Sequence, residues 1–346
     1  MREDEGDRMA VTMSDVAKAA GVSTKTVSNF FNGYPYMRDE TRARIERAVD
    51  ELDYRMNVSA RNLRSGRSRM IALVIPELDS PYLSRLAQDV IDAAAEIGLS
   101  VLVETTAGDR GREAAALSGM HRQSVDGVIY EPLALGPDDA NLLDLNMPLV
   151  MIGQRFFDGL ADHVLISDRE AARTAVAHLL AIGRRRIAVV GVKPTAEPAG
   201  SALRRRGVED ALTEAGIPID ERLMVDAGPW RREAGAAAIA QLLDDGVAFD
   251  AVFGLNDALA LGAQWMLQER GLRVPDDVAV AGFDATEDSR FSQPPLTTVS
   301  PGRRAIARRA VEMLAERIDT SAAAGESRTE IMDFKLLVRG STVPRD

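Results

Sequence analysis

Apolar side chains recur at helical spacing in three segments near the start of the chain. They predict a helix over 13–20, a second over 24–31 and a third over 39–53. Each helix has one apolar face, so the three are expected to bury a small common core. The pattern therefore predicts an all-α module at this end of the chain.

Capping residues mark the boundaries of the first two helices. Thr12 and Asp15 form an N-cap pattern, because the threonine hydroxyl can accept a backbone N–H of the first turn. Gly21 ends the first helix, where a left-handed conformation suits glycine, and Ser23 is the N-cap of the second. Two helices joined by so short a turn suit either a helix-turn-helix or an ordinary helical hairpin.

From residue 70 onward, apolar strand runs alternate with amphipathic helices. This alternation predicts βαβ units and parallel sheets covered on both faces. The remaining length, more than 270 residues, is enough for two lobes. The predicted strands span 70–75, 100–104, 126–130, 148–152, 186–191, 250–254 and 278–283.

Charge divides the chain in the same way. The 346 residues have a formal net charge of -11, yet residues 12–70 carry eleven basic and seven acidic side chains. From 54 to 70 there are five arginines and no acid, whereas 71–346 carries 29 basic and 42 acidic residues. A basic N-terminal module can meet phosphate while an acidic body is repelled by it.

Composition argues against several kinds of chemistry. The chain has no cysteine, and its three histidines, His121, His163 and His178, lack metal-ligand spacing. The sequence contains no nucleophile elbow, phosphate-binding loop or zinc-binding helix motif. Neither an enzyme nor a metal or other cofactor is therefore expected.

The first eleven residues, with either Met1 or Met9 as the start, are predicted to form a charged, disordered tail. They lack the apolar run of a secretion signal or a membrane anchor. No other run reaches the ~18 apolar residues that a membrane span needs. A cytoplasmic protein without membrane contact is therefore expected.

Three segments of the N-terminal module carry a family resemblance. They are "TMSDVAKAAGVSTKTVSNFFNG", "TRARIERAVDELDY" and "NVSARNLRSGRS", and they resemble the DNA-binding headpiece and hinge of the lac repressor/gal repressor (LacI/GalR) family of bacterial transcription regulators. The resemblance implies that Thr24, Lys25 and Asn29 read base edges in the major groove. The residues implied to lie nearer the phosphates are Ser23, Thr26 and Ser28.

The same resemblance implies a headpiece over 12–56 and a hinge helix with its linker over 57–69. The hinge residues implied to reach the minor groove are Asn57, Ala60 and Leu63. Leu63 would wedge into the central base step of the DNA site. Asn29 departs from the arginine usual in the family, and an amide prefers adenine where arginine prefers guanine, so the DNA half-site is expected to differ.

The resemblance extends into the body through "GLNDALALGA" and "GLRVPDDVAVAGFDATEDSRFSQPPLTTVSP". It implies the two-lobed fold of periplasmic sugar-binding proteins over 70–340, with ligand between the lobes at the carboxyl ends of the strands. The last six residues, 341–346, would be a tail. The lobes are expected at about 70–164 with 292–328, and at about 165–291 with 329–340.

Polar residues that follow predicted strands are candidate ligand groups, since open α/β sheets bind ligands at these ends. They are Asp79, Tyr82, Glu131, Arg155, Asn256 and Asp284. The resemblance adds Arg204 and Trp230. For some of them a structural role remains open as the alternative to ligand binding. Tyr82 would then lie partly in the core, and Glu131 would be solvated. Asn256 would shape the turn before a helix that Asp257 caps.

These features predict a DNA-binding transcription regulator, a repressor, that binds a near-palindromic duplex operator as a homodimer. A small-molecule effector, a sugar or sugar derivative, would bind in the cleft and control it. A dimer is favoured over a tetramer because only "STVPRD" follows "LLVRG", too short for a coiled coil. The alternatives are a solute-binding protein without a role on DNA, and an enzyme that acts on sugars.

Overall fold

A computed structural model of the chain describes residues 11–31, 34–54, 67–120, 125–154, 159–193, 200–320 and 326–343. The chain divides into two compact units between Ser68 and Arg69. None of the helices in the described ranges is long and apolar enough to cross a bilayer.

The smaller unit contains the three helices that the apolar spacing predicts. They are α1 (Met13–Ala20), α2 (Thr24–Phe31) and α3 (Asp39–Glu51). Each helix contributes a completely buried side chain to their common core, namely Val16, Val27 and Ile45. The third helix ends two residues before the predicted boundary, which is within the usual uncertainty of helix ends.

The larger unit contains two lobes, each built on a six-stranded sheet. The strands of the first sheet are β1 (Met70–Ile75), β2 (Ser100–Thr105), β3 (Gly127–Tyr130), β4 (Leu149–Ile152), β5 (Asp162–Ile166) and β11 (Thr329–Met332). They lie in the order β11-β5-β4-β3-β1-β2, and every neighbouring pair is parallel.

The second sheet repeats this arrangement with one antiparallel edge. Its strands are β6 (Ile187–Val190), β7 (Met224–Val225), β8 (Ala251–Gly254), β9 (Ala279–Phe283), β10 (Thr297–Ser300) and β12 (Lys335–Leu337). They lie in the order β12-β10-β9-β8-β6-β7, in which β10 and β12 are antiparallel and the other pairs are parallel.

Helices cover both sheets. Those of the first lobe are α4 (Pro81–Glu96), α5 (Arg110–Gly119) and α11 (Arg303–Thr320). Those of the second lobe are α6 (Asp168–Ala181), α7 (Gly200–Glu214), α8 (Arg232–Asp244), α9 (Asp257–Glu269) and α10 (Glu287–Phe291). Two 3₁₀ turns, at Pro137–Leu143 and Glu221–Leu223, complete the connections.

Strand β1 explains why the predicted strands are runs of consecutive apolar residues. Its residues Ile71, Leu73 and Ile75 pack in one apolar cluster, whereas Ala72 and Val74 pack in another on the opposite face. Because helices cover both faces, every position of the strand after Met70 is buried. All seven predicted strands are present, within a residue or two of their predicted bounds.

The chain passes between the lobes three times, and two of these crossings lie elsewhere than predicted. The sequence places 292–300 in the first lobe, but β10 pairs with β9 of the second sheet, with Thr297 opposite Ala281. It also places 329–332 in the second lobe, but β11 pairs with β5 of the first sheet, with Thr329 opposite His163. Both assignments were wrong because a four-residue strand carries no sequence mark of the sheet whose strands it pairs with.

A buried carboxylate fixes the position of β11. Asp162 begins β5 and is only 1% exposed, and it accepts hydrogen bonds from Arg317 Nη2 at 2.7 Å and from Arg328 Nη2 at 2.8 Å. Burial raises the pKa of Asp162, but the bonds from Arg317 and Arg328 outweigh it and lower this pKa to about 2. The ion pairs therefore tie the end of α11 and the start of β11 to the first lobe.

Candidate functional site

The polar side of α2 begins at a capped helix start. The Thr26 backbone N–H donates to Ser23 Oγ at 3.1 Å, and the two hydroxyl oxygens are 2.8 Å apart. Before this cap, Gly21 adopts the left-handed conformation with φ of 64°, which ends α1 and turns the chain. Val27 is completely buried, so the opposite side of α2 points away from the core.

The six predicted major-groove residues lie on α2 or at its cap. Thr24 and Lys25 are exposed in its first turn, and Asn29 is partly buried one turn later. Hydroxyl, ammonium and amide groups on one short helix can reach base edges and phosphates. The DNA-reading roles of these residues stay a prediction, and the hinge residues Asn57, Ala60 and Leu63 lie outside the described residues.

A cavity of about 520 Å³ lies between the two lobes, at the carboxyl ends of their strands. A smaller cavity of about 240 Å³ adjoins it at the cleft mouth. Six of the eight predicted effector residues line the larger cavity, namely Tyr82, Glu131, Arg204, Trp230, Asn256 and Asp284. Asp79 lines only the smaller cavity, and Arg155 lies outside the described residues.

Arg204 is the buried cation of the cleft. Its Nε donates to Asp168 Oδ1 and its Nη1 donates to the carbonyl of Leu255. The guanidinium carbon lies 3.5 Å from the centre of the Phe283 ring and 5.5 Å from that of the Trp230 ring. Burial lowers the pKa of Arg204, but the charges of Asp168 and Asp284 more than offset it and raise that pKa, so the group stays charged.

The sequence reasoning missed Asp168, which partners Arg204. It lies in the first turn of α6 and is 1% exposed. Burial raises its pKa, against the opposing charge of Arg204. The rule that polar residues after strands line the cleft would have found Asp168, had β5 been among the predicted strands.

Trp230 and Asn256 form one polar corner of the second lobe. Trp230 Nε1 donates to the Gly191 carbonyl at 3.0 Å, which fixes the indole plane beside Arg204. Asn256 Oδ1 accepts from the Leu259 N–H at 2.8 Å, and its Nδ2 donates to the Trp230 carbonyl at 3.3 Å. Asn256 is therefore the N-cap of α9, and the expectation that Asp257 caps this helix was wrong.

Asp257 instead holds the loop that carries Asp284. It is completely buried and accepts from the Thr286 backbone N–H at 2.7 Å and from Thr298 Oγ1 at 2.5 Å. Asp284 and Ala285 have positive φ of 115° and 52°, a costly conformation that the surrounding bonds must maintain. Burial raises the pKa of Asp284 well above its usual value.

Tyr82 and Glu131 face this group from the first lobe. Tyr82 is the second residue of α4, and burial followed by the charges of Glu131 and Asp284 raises the pKa of its hydroxyl, which stays neutral. Glu131 follows β3, and burial raises its pKa to about 7 despite the opposing charge of Arg204. Glu131 is therefore not a solvated surface side chain.

Asp79 does not point into the larger cavity. Its Oδ2 accepts from Arg231 Nη1 at 2.6 Å, and Glu77 Oε2 accepts from Arg231 Nη2 at 2.7 Å. Glu77 and Asp79 follow β1 of the first lobe, and Arg231 directly precedes α8 of the second lobe. No local pattern indicates this pairing, because the partners are more than 150 residues apart.

Together these groups can bind a polar molecule. Carboxyl, amide, hydroxyl and guanidinium groups provide acceptors and donors, while Trp230 and Phe283 provide apolar faces. Within the part of the chain that the structure describes, no group of histidine and acidic side chains could hold a metal ion.

Two family models match the chain. Residues 12–57 match "Bacterial regulatory proteins, lacI family", and residues 176–342 match "Periplasmic binding protein-like domain". The transcriptional regulator DegA of Bacillus subtilis is 34% identical, over 97% of this chain and 99% of its own length. The transcriptional repressor CytR of Escherichia coli K12 is 32% identical over 96% of each chain.

Solved structures show the same likeness. A LacI-family transcriptional regulator from Sanguibacter keddieii is 47% identical, with a TM-score of 0.74 over 80% of this chain and 99% of its own. The Lac repressor dimer bound to operator and the anti-inducer ONPF is 27% identical, with a TM-score of 0.81 over 97% of this chain and 100% of its own.

Proposed function

The chain belongs to the LacI family of bacterial transcription regulators. From that premise we propose that it is a repressor whose affinity for operator DNA is controlled by a polyol effector bound in its cleft. The observation that carries the proposal is the pairing of a capped helix-turn-helix with a polar cavity of about 520 Å³ between two lobes. Double-stranded operator DNA and a sugar or sugar derivative are its two ligands.

On DNA, α2 enters the major groove. Lys25 and Thr24 are exposed in its first turn, and Asn29 follows at the distance of about one turn. The α2 N-terminus, where Ser23 and Thr26 share a hydrogen bond, favours a phosphate through its free backbone N–H groups. Leu63 on the hinge wedges into the centre of the operator, where it contributes to bending the DNA.

Two copies bind a near-palindromic operator together, as two-fold symmetric proteins do. A groove on the second lobe with two exposed aromatic side chains offers a surface on which a second copy can pack. Trp265 is 53% exposed and Phe291 is 72% exposed there, around a groove that Leu261 also lines. Exposed aromatic groups of this size are typical of protein interfaces.

Effector control requires that the ligand bind one arrangement of the lobes more tightly than another. The cleft meets this need, because Tyr82 and Glu131 belong to the first lobe whereas Arg204, Trp230 and Asp284 belong to the second. A ligand that contacts both groups favours closure of the lobes around it. Closure then alters the paired hinges and with them the affinity for the operator.

We assign no catalytic role to the cleft. The relatives of this chain, DegA and CytR, are named as a transcriptional regulator and a transcriptional repressor. The described side chains of the cleft serve to bind a ligand. Because its target is the genome, we place the protein in the bacterial cytoplasm.

The proposal is tested by selecting random duplex DNA with the purified chain at two salt concentrations and sequencing the retained pool. The expected result is a two-fold symmetric motif with half-sites about one helical turn apart, and weaker retention at higher salt. A Thr24→Ala, Asn29→Ala double variant is the control, which should lose the motif and keep salt-sensitive binding. A pool without a motif, with or without a panel of sugars, would contradict the repressor function.

A further inference from the structure

Two buried carboxylate oxygens face the cleft, one from each lobe, without a hydrogen-bond partner. They are Glu131 Oε2 and Asp168 Oδ2, and neither finds a partner among the described residues. Both residues line the larger cavity. A buried acceptor left without a donor is unfavourable, so a ligand that donates to these oxygens is favoured.

Glu131 is held in place from its own lobe. Its backbone N–H donates to the Val74 carbonyl at 2.9 Å, and its side chain packs on Gly153, where an added Cβ would lie 3.3 Å from Glu131 Cγ. Gly153 has φ of 85°, a conformation that favours glycine and leaves room for the carboxylate. Gly153 therefore leaves space for the Glu131 carboxylate at the wall of the cavity.

The neighbouring cation already uses two of its nitrogens within the protein. Arg204 directs Nε to Asp168 and Nη1 to the Leu255 carbonyl, and the Phe283 ring covers its guanidinium at 3.5 Å. Asp284 adds a further carboxyl group to this end of the cavity. Three carboxyl groups, those of Glu131, Asp168 and Asp284, thus share the buried end with a single guanidinium, which favours a ligand group that donates hydrogen bonds over an anionic group.

The charge is distributed differently at the cleft mouth. Arg231 lies there, paired with Glu77 and Asp79, and Lys193 lines the same cavity with an exposed side chain. A negative group on a ligand can be accommodated at this mouth, close to solvent and to cations. The preference against anions therefore applies to the buried end.

We propose that the buried end of the cleft recognises the donor-rich, non-anionic end of the effector, adjacent hydroxyls or a protonated amine, with Glu131 as the specificity-determining acceptor. This inference rests on the proposed function of the cleft as an effector site. A sugar with negative groups at both ends is excluded, because either orientation would bring one of them to Glu131, Asp168 and Asp284.

The test is calorimetric titration of the full chain with matched sugars. Each hexose in the panel is offered as the neutral sugar, the amino sugar and the 1,6-bisphosphate. We expect neutral or amino members to bind and their bisphosphates to bind at least about tenfold more weakly. Glu131→Gln should weaken the bound members by about 10- to 100-fold, since hydrogen bonds to charged groups contribute about 1.5–3 kcal/mol.

Two further variants make the result specific. Glu269→Gln removes an exposed carboxylate at the end of α9 and should leave every affinity unchanged. Glu131→Asp keeps the charge and should restore part of the affinity that Glu131→Gln loses. Thermal unfolding of each variant shows that it is folded before it is titrated.

Either of two results would overturn the inference while leaving the repressor function intact. One is a bisphosphate that binds as tightly as its neutral sugar, and the other is a folded Glu131→Gln variant that binds as well as the parent chain. If no sugar binds although the operator motif is found, the polyol effector itself is wrong, and the inference is overturned with it.

Discussion

Arg231 of the second lobe and Asp79 of the first form an ion pair across the cleft mouth, with Nη1 and Oδ2 separated by 2.6 Å. The other terminal nitrogen of the same guanidinium binds Glu77 at 2.7 Å. One side chain thus connects the lobes directly beside Trp230. The exposed fractions of Arg231 and Asp79, 43% and 78%, make this a surface pair, which contributes modestly to stability but opposes separation of the lobes.

Arg231→Ala should therefore shift the lobes toward an open arrangement. Because the chain has no cysteine, Arg112→Cys in α5 and Gln241→Cys in α8 give two specific sites for spin labels, both exposed. Pulsed electron paramagnetic resonance should show a longer distance between the two labels, or a broader distribution of distances, in Arg231→Ala. Labelled chains are diluted with unlabelled ones, so that only distances within one chain are measured. The open population should rise by about two- to fivefold, as expected for loss of exposed ion pairs.

Two controls separate the cleft pair from a general loss of charge. Arg222→Ala breaks an exposed pair with Asp220 within the second lobe and should leave the distance unchanged. Exchanging the charges, with Arg231→Glu and Asp79→Arg together, should bring back the shorter distance. Identical distances in the parent chain and Arg231→Ala would exclude a role for Arg231 in holding the lobes.

Trp230→Ala should abolish the response to effector and leave operator affinity unchanged. The indole covers one side of Arg204, at 5.5 Å from its guanidinium carbon, and it lies in the cleft rather than on the headpiece. Effector-dependent release of labelled operator in a gel-shift titration measures both quantities. Ile219→Ala, which truncates an exposed apolar side chain of the second lobe that lines none of these cavities, is the control. A normal response in Trp230→Ala would remove this side chain from the site.

Asn29→Arg should change the operator rather than weaken binding to every sequence. Asn pairs with adenine through two hydrogen bonds and Arg pairs with guanine in the same way, each with a discrimination of about 1–3 kcal/mol. Selection and sequencing with the variant should therefore replace adenine by guanine at one position of each half-site. Arg47→Lys in α3 serves as a charge-preserving control. A motif unchanged by Asn29→Arg would show that this residue does not read a base.

Glu131→Gln should stabilise the chain above neutral pH. Burial raises the pKa of Glu131 to about 7 from a usual value of 4.5, so the folded state binds its proton more tightly than the unfolded state does. Stability contributed by the protonated form is complete below about pH 4.5, declines as the pH rises, and is lost above about pH 7.

The amide of the variant does not titrate, so its contribution to the free energy of unfolding does not change with pH. Its gain in the free energy of unfolding should be on the order of 1–3 kcal/mol at pH 8 and close to zero at pH 4.5. Chemical denaturation at the two pH values measures the difference. An equal effect of Glu131→Gln at both pH values would contradict the raised pKa.

Local sequence determined the headpiece almost completely. The Thr12 cap, the Gly21 turn and the Val27 core position all act over fewer than five residues, and each is found as predicted. The seven apolar strand runs were equally readable, because burial on both faces leaves little choice of residue type. Eight cleft residues were predicted from their position after a strand or from the family resemblance, and six of them line the larger cavity.

Tertiary structure alone decided which side chains meet. Asp168 pairs with Arg204 and Asp79 with Arg231, and both pairs depend on how strands distant in sequence are ordered in the two sheets. The placement of β10 and β11 depends in the same way on hydrogen bonds to strands far along the chain. The periodicity of apolar residues indicates which positions are buried, because burial restricts the residue types that are tolerated there. It does not indicate which other residue a buried side chain contacts. Pairing across the cleft is therefore set by the packing of the lobes and not by the local pattern of the chain.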